Sequence, residues 1–171
     1  MRIAISGKSG CGNTTVSRIV AERLKLKLIN FTFRDLAKER DVSFSELHAL
    51  ASTDSSIDKY LDKKQLEMAS SGNCVLGSRL AVWLLSDADL KVYLIGEPKL
   101  RARRIAKREQ IPYNKALINM TERDTEDRRR YLSLYQINID DYHHVDIEID
   151  TAALDQHEVA EVIVDKILLK Q

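Results

Sequence analysis

The chain has 171 residues, of which 44% are hydrophobic and 31% charged, with 27 basic against 26 acidic side chains and a net charge of +1. That composition suits one soluble domain, burying roughly 70% of its unfolded surface, and is too apolar for disorder. A near-neutral chain carries no global field to recruit nucleic acid or anionic membrane. No run approaches the ~18 apolar residues of a membrane span. Met1 runs directly into Arg2-Ile-Ala-Ile without a secretory leader, so a cytoplasmic location is expected. Cys11 and Cys74 are too few for a disulfide framework and form no C-x-x-C. His48, His143, His144 and His157 show no metal-ligand spacing, so zinc is not expected, and His143-His144 read as surface histidines.

The predicted elements alternate along the chain. Arg2 to Ser6 is a short apolar run ending at Gly7, hence a buried strand. Val16, Ile19, Val20 and Leu24 then mark one face of a helix over 14–25. Leu26 to Asn30 is a second strand. Helices follow over 32–40, 43–52 and 55–70, the second opened by a Ser43/Glu46 capping box. Asn73 to Gly77 is a third strand, 80–85 a short helix and Leu90 to Ile95 a fourth strand. Pro98 opens a basic helix to Glu109, Pro112 another to Tyr135; Val145 to Ile149 is a fifth strand and 155–169 a closing helix. Five short strands alternating with helices predict an α/β fold, a parallel sheet covered on both faces.

The informative segment is Ile3-Ala-Ile-Ser-Gly7-Lys8-Ser9-Gly10-Cys11-Gly12-Asn13-Thr14-Thr15. A strand feeds a glycine-rich loop that opens a helix, which aims backbone N–H groups and the helix dipole at one point, an anion site. The spacing G-x-x-x-x-G-x-T matches the phosphate-binding P-loop, with Thr14 placed to ligate Mg²⁺. Where that pattern has its lysine, this chain has Asn13. Lys8 is the one cation within the loop, positioned like the extra lysine of deviant P-loop ATPases, and is a candidate replacement. Cys11 is read as serving through its backbone and small size. A glycine turn of a Rossmann-like protein is the bland alternative.

Phosphoryl transfer also needs cations spread over donor, acceptor and the charge between them. Arg34 follows the second strand and Arg79 the third. Both therefore lie at the carboxyl edge of the sheet, where α/β folds bind ligands. Arg123, Asp127 and Arg130 recur at i, i+4 and i+7 on one helical face, and Arg101, Arg104 and Arg108 share another at i, i+3 and i+7. A salt-bridged solvent face explains the former equally well. RNA binding is a competing reading of the basic stretch, but aromatics beyond Tyr113 and Tyr131 are missing.

The segments ISGKSGCGNTT, INFTFRDLA, IDKYLDKKQLEMA, NCVLGSRLAVWLL, ADLKVYLIGEPKLRARRIAKRE and ERDTEDRRRYLSLY, in that order, resemble the short, archaeal-type cytidylate kinases of the P-loop nucleoside monophosphate kinases. The resemblance covers residues 1 to about 150. It implies a three-layer fold with a five-stranded parallel core over the whole chain, an acceptor-binding helical segment at 31–72 and an arginine-bearing lid at about 100–130. It implies transfer of the γ-phosphoryl group of ATP to CMP, and to dCMP, with Mg²⁺ held by Thr14, the phosphates and water. Gly7 to Thr15 would cradle ATP and Arg104 and Arg108 would cover its phosphates. Arg34 and Arg79 would hold the acceptor, Arg123 and Arg130 the transferring and acceptor phosphates, with Lys8 assisting. Asp127 would orient an arginine or contact the base. Neither nucleic acid nor membrane is an expected partner, and a monomer is expected. The chain departs from its relatives at Asn13 and at Gly77-Ser78-Arg79, where a carboxylate is missing. The alternatives are a nucleotide-binding regulator without turnover and a kinase of another nucleotide or small metabolite.

Overall fold

The computed structural model describes residues 1–169, leaving out the side chains at positions 45, 48 and 52, so His48 lies outside the described side chains. The strands are β1 (Arg2–Gly7), β2 (Lys27–Ile29), β3 (Cys74–Gly77), β4 (Leu90–Ile95) and β5 (Ile147–Asp150). They form one parallel sheet in the order β2-β3-β1-β4-β5. The central β1 pairs with β3 and β4 at once, Ile3 lying opposite both Val75 and Leu90. Helices on both faces explain its unbroken apolar run. Ile3 and Ile5 turn to one core while Ala4 turns to the other, and all three are fully buried.

On the first face lie α1 (Asn13–Leu24) and α8 (Gln156–Leu168). Val16, Ile19 and Val20, the predicted stripe, meet Val159, Ile163 and Ile167 there. The second face is covered by α4 (Ser56–Ala69) and the short α5 (Ala81–Leu84), where Ala81 and Val82 pack on Leu76 and Tyr93. Between β2 and β3, α2 (Phe33–Glu39) and α3 (Phe44–Thr53) join α4 around their own small core of Leu36, Leu47, Ile57 and Leu61. The Ser43/Glu46 capping box forms as predicted, and Thr32/Asp35 makes a second one. Two further helices, α6 (Pro98–Glu109) and α7 (Tyr113–Tyr135), pair through Ala102, Ile105, Ala116 and Met120.

Three strands are shorter than expected: β3 begins at Cys74 because Asn73 takes a left-handed conformation (φ +47°), and at β2 and β5 a turn claims the first backbone donor. Leu26 donates to Ala21 O (2.8 Å) as part of the α1 terminus, where Lys25 takes a left-handed conformation. Val145 donates to Tyr142 O (3.1 Å), so pairing of β5 starts at Ile147. The carboxyl ends of β1, β2, β3 and β4 open onto one edge, and the chain leaves that edge through the segments singled out in the sequence.

Candidate phosphate and acceptor site

The loop between β1 and α1 is shaped by its glycines. Gly10 and Gly12 take φ of +84° and +101°, a left-handed region closed to most side chains. A Cβ on Gly10 would also come within 2.9 Å of Arg101 Cβ and O, so the loop lies directly on α6. Asn13 donates from Nδ2 to Gly7 O (2.6 Å), tying the last residue of the loop to its first. Its Oδ1 has no partner among the described residues. Cys11 is buried, and desolvation raises its thiol to about 11, so it packs as a small neutral group. Thr14 is exposed on the first turn of α1 and Thr15 half-buried. Among the described residues no three His, Cys, Asp or Glu side chains gather as a metal cluster. A lone hydroxyl beside a phosphate cradle suits a hard cation that keeps most of its waters.

Lys8 turns away from the loop to a carboxylate. Its Nζ lies 2.5 Å from Asp140 Oδ1, and Arg128 bonds the other oxygen of the same group. Although desolvation opposes it, these two cations hold the Asp140 carboxyl below the usual range. Gly7, Lys8, Arg79, Asp124 and Asp127 line a cleft against Tyr93. The Tyr93 hydroxyl donates to Ile139 O, and its ring stacks on Tyr142 at 4.1 Å.

The predicted α7 face turns toward this cleft. Asp127 is 4% exposed and binds two arginines, Arg79 through Oδ2 and Arg130 through Oδ1 (3.1 Å). Arg79 in turn donates from Nη2 to Ser9 Oγ in the P-loop (2.6 Å). Arg130 reaches back to Asp58 on α4, 3.5 Å from Nε to Oδ1. Desolvation, with Arg123 and Arg130 nearby, pulls the Arg79 guanidinium below the ordinary arginine value. Arg123 is exposed, and Arg34 is exposed on α2 with its guanidinium 5.1 Å from the Phe44 ring centre.

The row on α6 divides. Arg101 is 5% exposed and holds three groups: Gly96 O (3.0 Å), Ser9 O (3.1 Å) and Asp124 Oδ2 (2.8 Å). It is the residue that seats the P-loop on α6 and α7. Helical spacing puts Arg101 on the arginine face without showing its role; the signal is Gly10, where a Cβ would strike Arg101 itself. Arg104 binds Thr151 Oγ1 (2.8 Å) and O (2.6 Å), with Gly10 O at a long 3.5 Å. Arg108 is exposed beside Glu109.

Residues 2–153 match the family model described as the cytidylate kinase-like family. The chain belongs to that family. It is 46% identical over 171 residues to cytidylate kinase 2 of Borrelia garinii subsp. bavariensis, covering 98% of this chain and 96% of that one. It is 40% identical over 152 residues to cytidylate kinase of Pyrococcus horikoshii, covering 88% and 79%. Among solved structures it resembles shikimate kinase from Acinetobacter baumannii, in complex with shikimate (TM-score 0.62, 17% identity, 99% and 94% covered). It also resembles an uncharacterized protein from Eubacterium ventriosum (TM-score 0.73, 20% identity, 98% of each). These structural likenesses establish the fold, an α/β kinase-like sheet.

Proposed function

We propose that this protein transfers the γ-phosphoryl group of ATP to CMP, and to dCMP, giving ADP and the nucleoside diphosphate. The carrying observation is the bonded array Ser9–Arg79–Asp127–Arg130, which joins a phosphate cradle to a second cationic centre. A protein that only senses ATP has no need of the second centre. The relatives named cytidylate kinase support CMP as the acceptor.

In this reading the chemistry is positioning and electrostatics, with no covalent intermediate. Gly7 to Thr15 hold the donor phosphates by backbone N–H groups, and Lys8 exchanges Asp140 for them. Arg34 and Arg79 hold the acceptor monophosphate. Arg123 and Arg130 meet the charge that develops between donor and acceptor. Asp127 fixes the planes of Arg79 and Arg130 so that little reorganisation is left for the reaction. Thr14 would hold Mg²⁺, which neutralises phosphate charge when bound. Arg104, from Thr151, steadies the loop and the adjoining helix pair at about 100–130, the lid; residues 31–72 form the acceptor segment. Among the described residues no helix is long and apolar enough to cross a membrane. Two buried free thiols suit a reducing cytoplasm, and we place the protein there as a monomer.

A coupled ADP-release assay with ATP and each nucleoside monophosphate in turn tests the proposal. CMP should give the highest kcat/KM. Preferred turnover of AMP would overturn the acceptor, and no turnover at all would leave an ATP-binding regulator.

A further inference from the structure

The acceptor half of the molecule contains buried polar chemistry that the phosphate-handling array does not use. On α4, Asp58, Asp62 and Gln65 fall at i, i+4 and i+7, one face of the helix, and are 3%, 9% and 3% exposed. Burying carboxylates and an amide side by side is costly unless each finds partners. The fold supplies some of them. Asp58 meets Arg130, Asp62 accepts from the Tyr135 hydroxyl (2.7 Å), and Gln65 donates from Nε2 to Phe31 O (2.6 Å). Gln65 Oε1, in a side chain 97% removed from solvent, has no partner among the described residues. Its nitrogen is tied to the end of β2, which leaves the carbonyl oxygen to the rest of that face.

The row starts beside Arg130, which the proposed function places at the charge between donor and acceptor, and runs along α4 to Gln65, whose nitrogen reaches Phe31 O just beyond β2. With the transferring phosphoryl group beside Arg130 and the acceptor phosphate held by Arg34 and Arg79, this face of α4 is the one left to the acceptor's sugar and base. The acceptors this row offers are the Asp62 carboxylate and the Gln65 amide carbonyl. Such a surface complements a base edge that carries N–H donors and repels one that carries a carbonyl. A cytosine offers an exocyclic amino group with two donors, whereas a uracil has a carbonyl oxygen at that carbon.

We propose that Asp62 and Gln65 are specificity-determining residues that read the 4-amino group of the acceptor pyrimidine. The inference rests on the phosphotransferase reading above and deepens it. Asp58 completes the face but is committed to Arg130, and Tyr135 positions the Asp62 carboxylate. Discrimination then follows from a site built to hydrogen-bond an amino group, because an acceptor lacking that group leaves buried oxygens unpaired.

The test crosses two acceptors with three enzymes. The acceptors are CMP and the otherwise identical monophosphate of pyrimidin-2-one, which lacks the 4-amino group. The enzymes are wild type, Asp62→Asn and Gln65→Leu, with UMP as a third acceptor for Asp62→Asn. Wild type should favour CMP over the pyrimidin-2-one analogue at least tenfold in kcat/KM. Each variant should shrink that preference threefold or more, through the KM of the acceptor and with the KM for ATP unchanged. Asp62→Asn, which adds an amide donor, should gain in relative use of UMP. A merely structural role predicts a lower Tm and equal losses for all acceptors, so an undiminished CMP preference in both variants would overturn the inference. Equal use of the two acceptors by wild type would overturn it with no variant needed, which covers a variant that fails to fold. No turnover of any monophosphate by wild type would overturn the phosphotransferase reading itself, and this inference with it.

Discussion

Lys8 and Asp140 are separated by 132 residues and meet at 2.5 Å, so the one cation of the P-loop is already paired before any phosphate arrives. The partner comes from the segment after α7, and Asp140 also takes Arg128. Donor phosphates compete with this carboxylate for the ammonium. A charged donor to phosphate is worth roughly twice a neutral one. Lys8→Ala is therefore expected to raise the KM for ATP about tenfold while leaving CMP affinity near wild type, and Asn13→Ala to be milder. Asp140→Asn, which frees the ammonium, should lower the KM for ATP. Steady-state kinetics check all three, and a Lys8→Ala enzyme with unchanged KM and kcat would move the donor charge to Arg104 and Arg108.

The Arg123/Asp127/Arg130 face separates catalysis from stability. Arg123 is exposed, so Arg123→Ala should cut kcat/KM by about 10²-fold or more with a wild-type Tm. Arg130 also compensates the buried Asp58 and Asp127, so Arg130→Ala should lower both activity and Tm. Kinetics with parallel thermal unfolding distinguish the two. Near-normal kinetics for both variants would return this face to a row of structural ion pairs.

Arg101 gives the opposite signature. Its guanidinium is buried under the P-loop against Asp124. Removing one partner of a buried pair typically costs about 3–5 kcal/mol. Arg101→Ala should accordingly show a large drop in denaturation midpoint, together with a raised KM for ATP as the loop loses its seat on Ser9 O. Urea unfolding measures the first effect. An unchanged midpoint would mean that α6 and α7 hold the loop without it.

Asp62 imposes a pH dependence whose sign follows from its burial. Desolvation raises its carboxyl from 3.8 to about 6, against the hydrogen bond from Tyr135. A carboxyl whose folded pKa is raised binds more protons folded than unfolded, so stability declines as pH rises from about 4 to about 6 and is level above. The penalty at neutral pH is on the order of 2–3 kcal/mol. Asp62→Asn should remove it: the variant should gain on wild type between pH 4 and 7 in Tm. A constant Tm difference across that range would place the titration elsewhere.

Much of the molecule was legible along the chain. The periodicity of Val16, Ile19 and Val20, the capping box at Ser43/Glu46 and the turn-forming glycines each depend on residues within a few positions, and each formed where the spacing put it. The strands expected from Leu26 and Val145 begin one and two residues later because a neighbouring turn takes the backbone donor. The partners that define the site were of another kind. Arg79 with Asp127 spans 48 residues, Arg101 with Ser9 spans 92, and Lys8 with Asp140 spans 132. A helical period places Arg123, Asp127 and Arg130 on one face without saying what that face meets, and it ranks Arg101, Arg104 and Arg108 alike although one is buried and one is in solvent. The elements and the loop follow from residues a few positions apart, and so can be read along the chain. Which charges pair is set by the packed fold, because a charge takes its partner from whatever the sheet order and helix packing bring within a few ångströms of it.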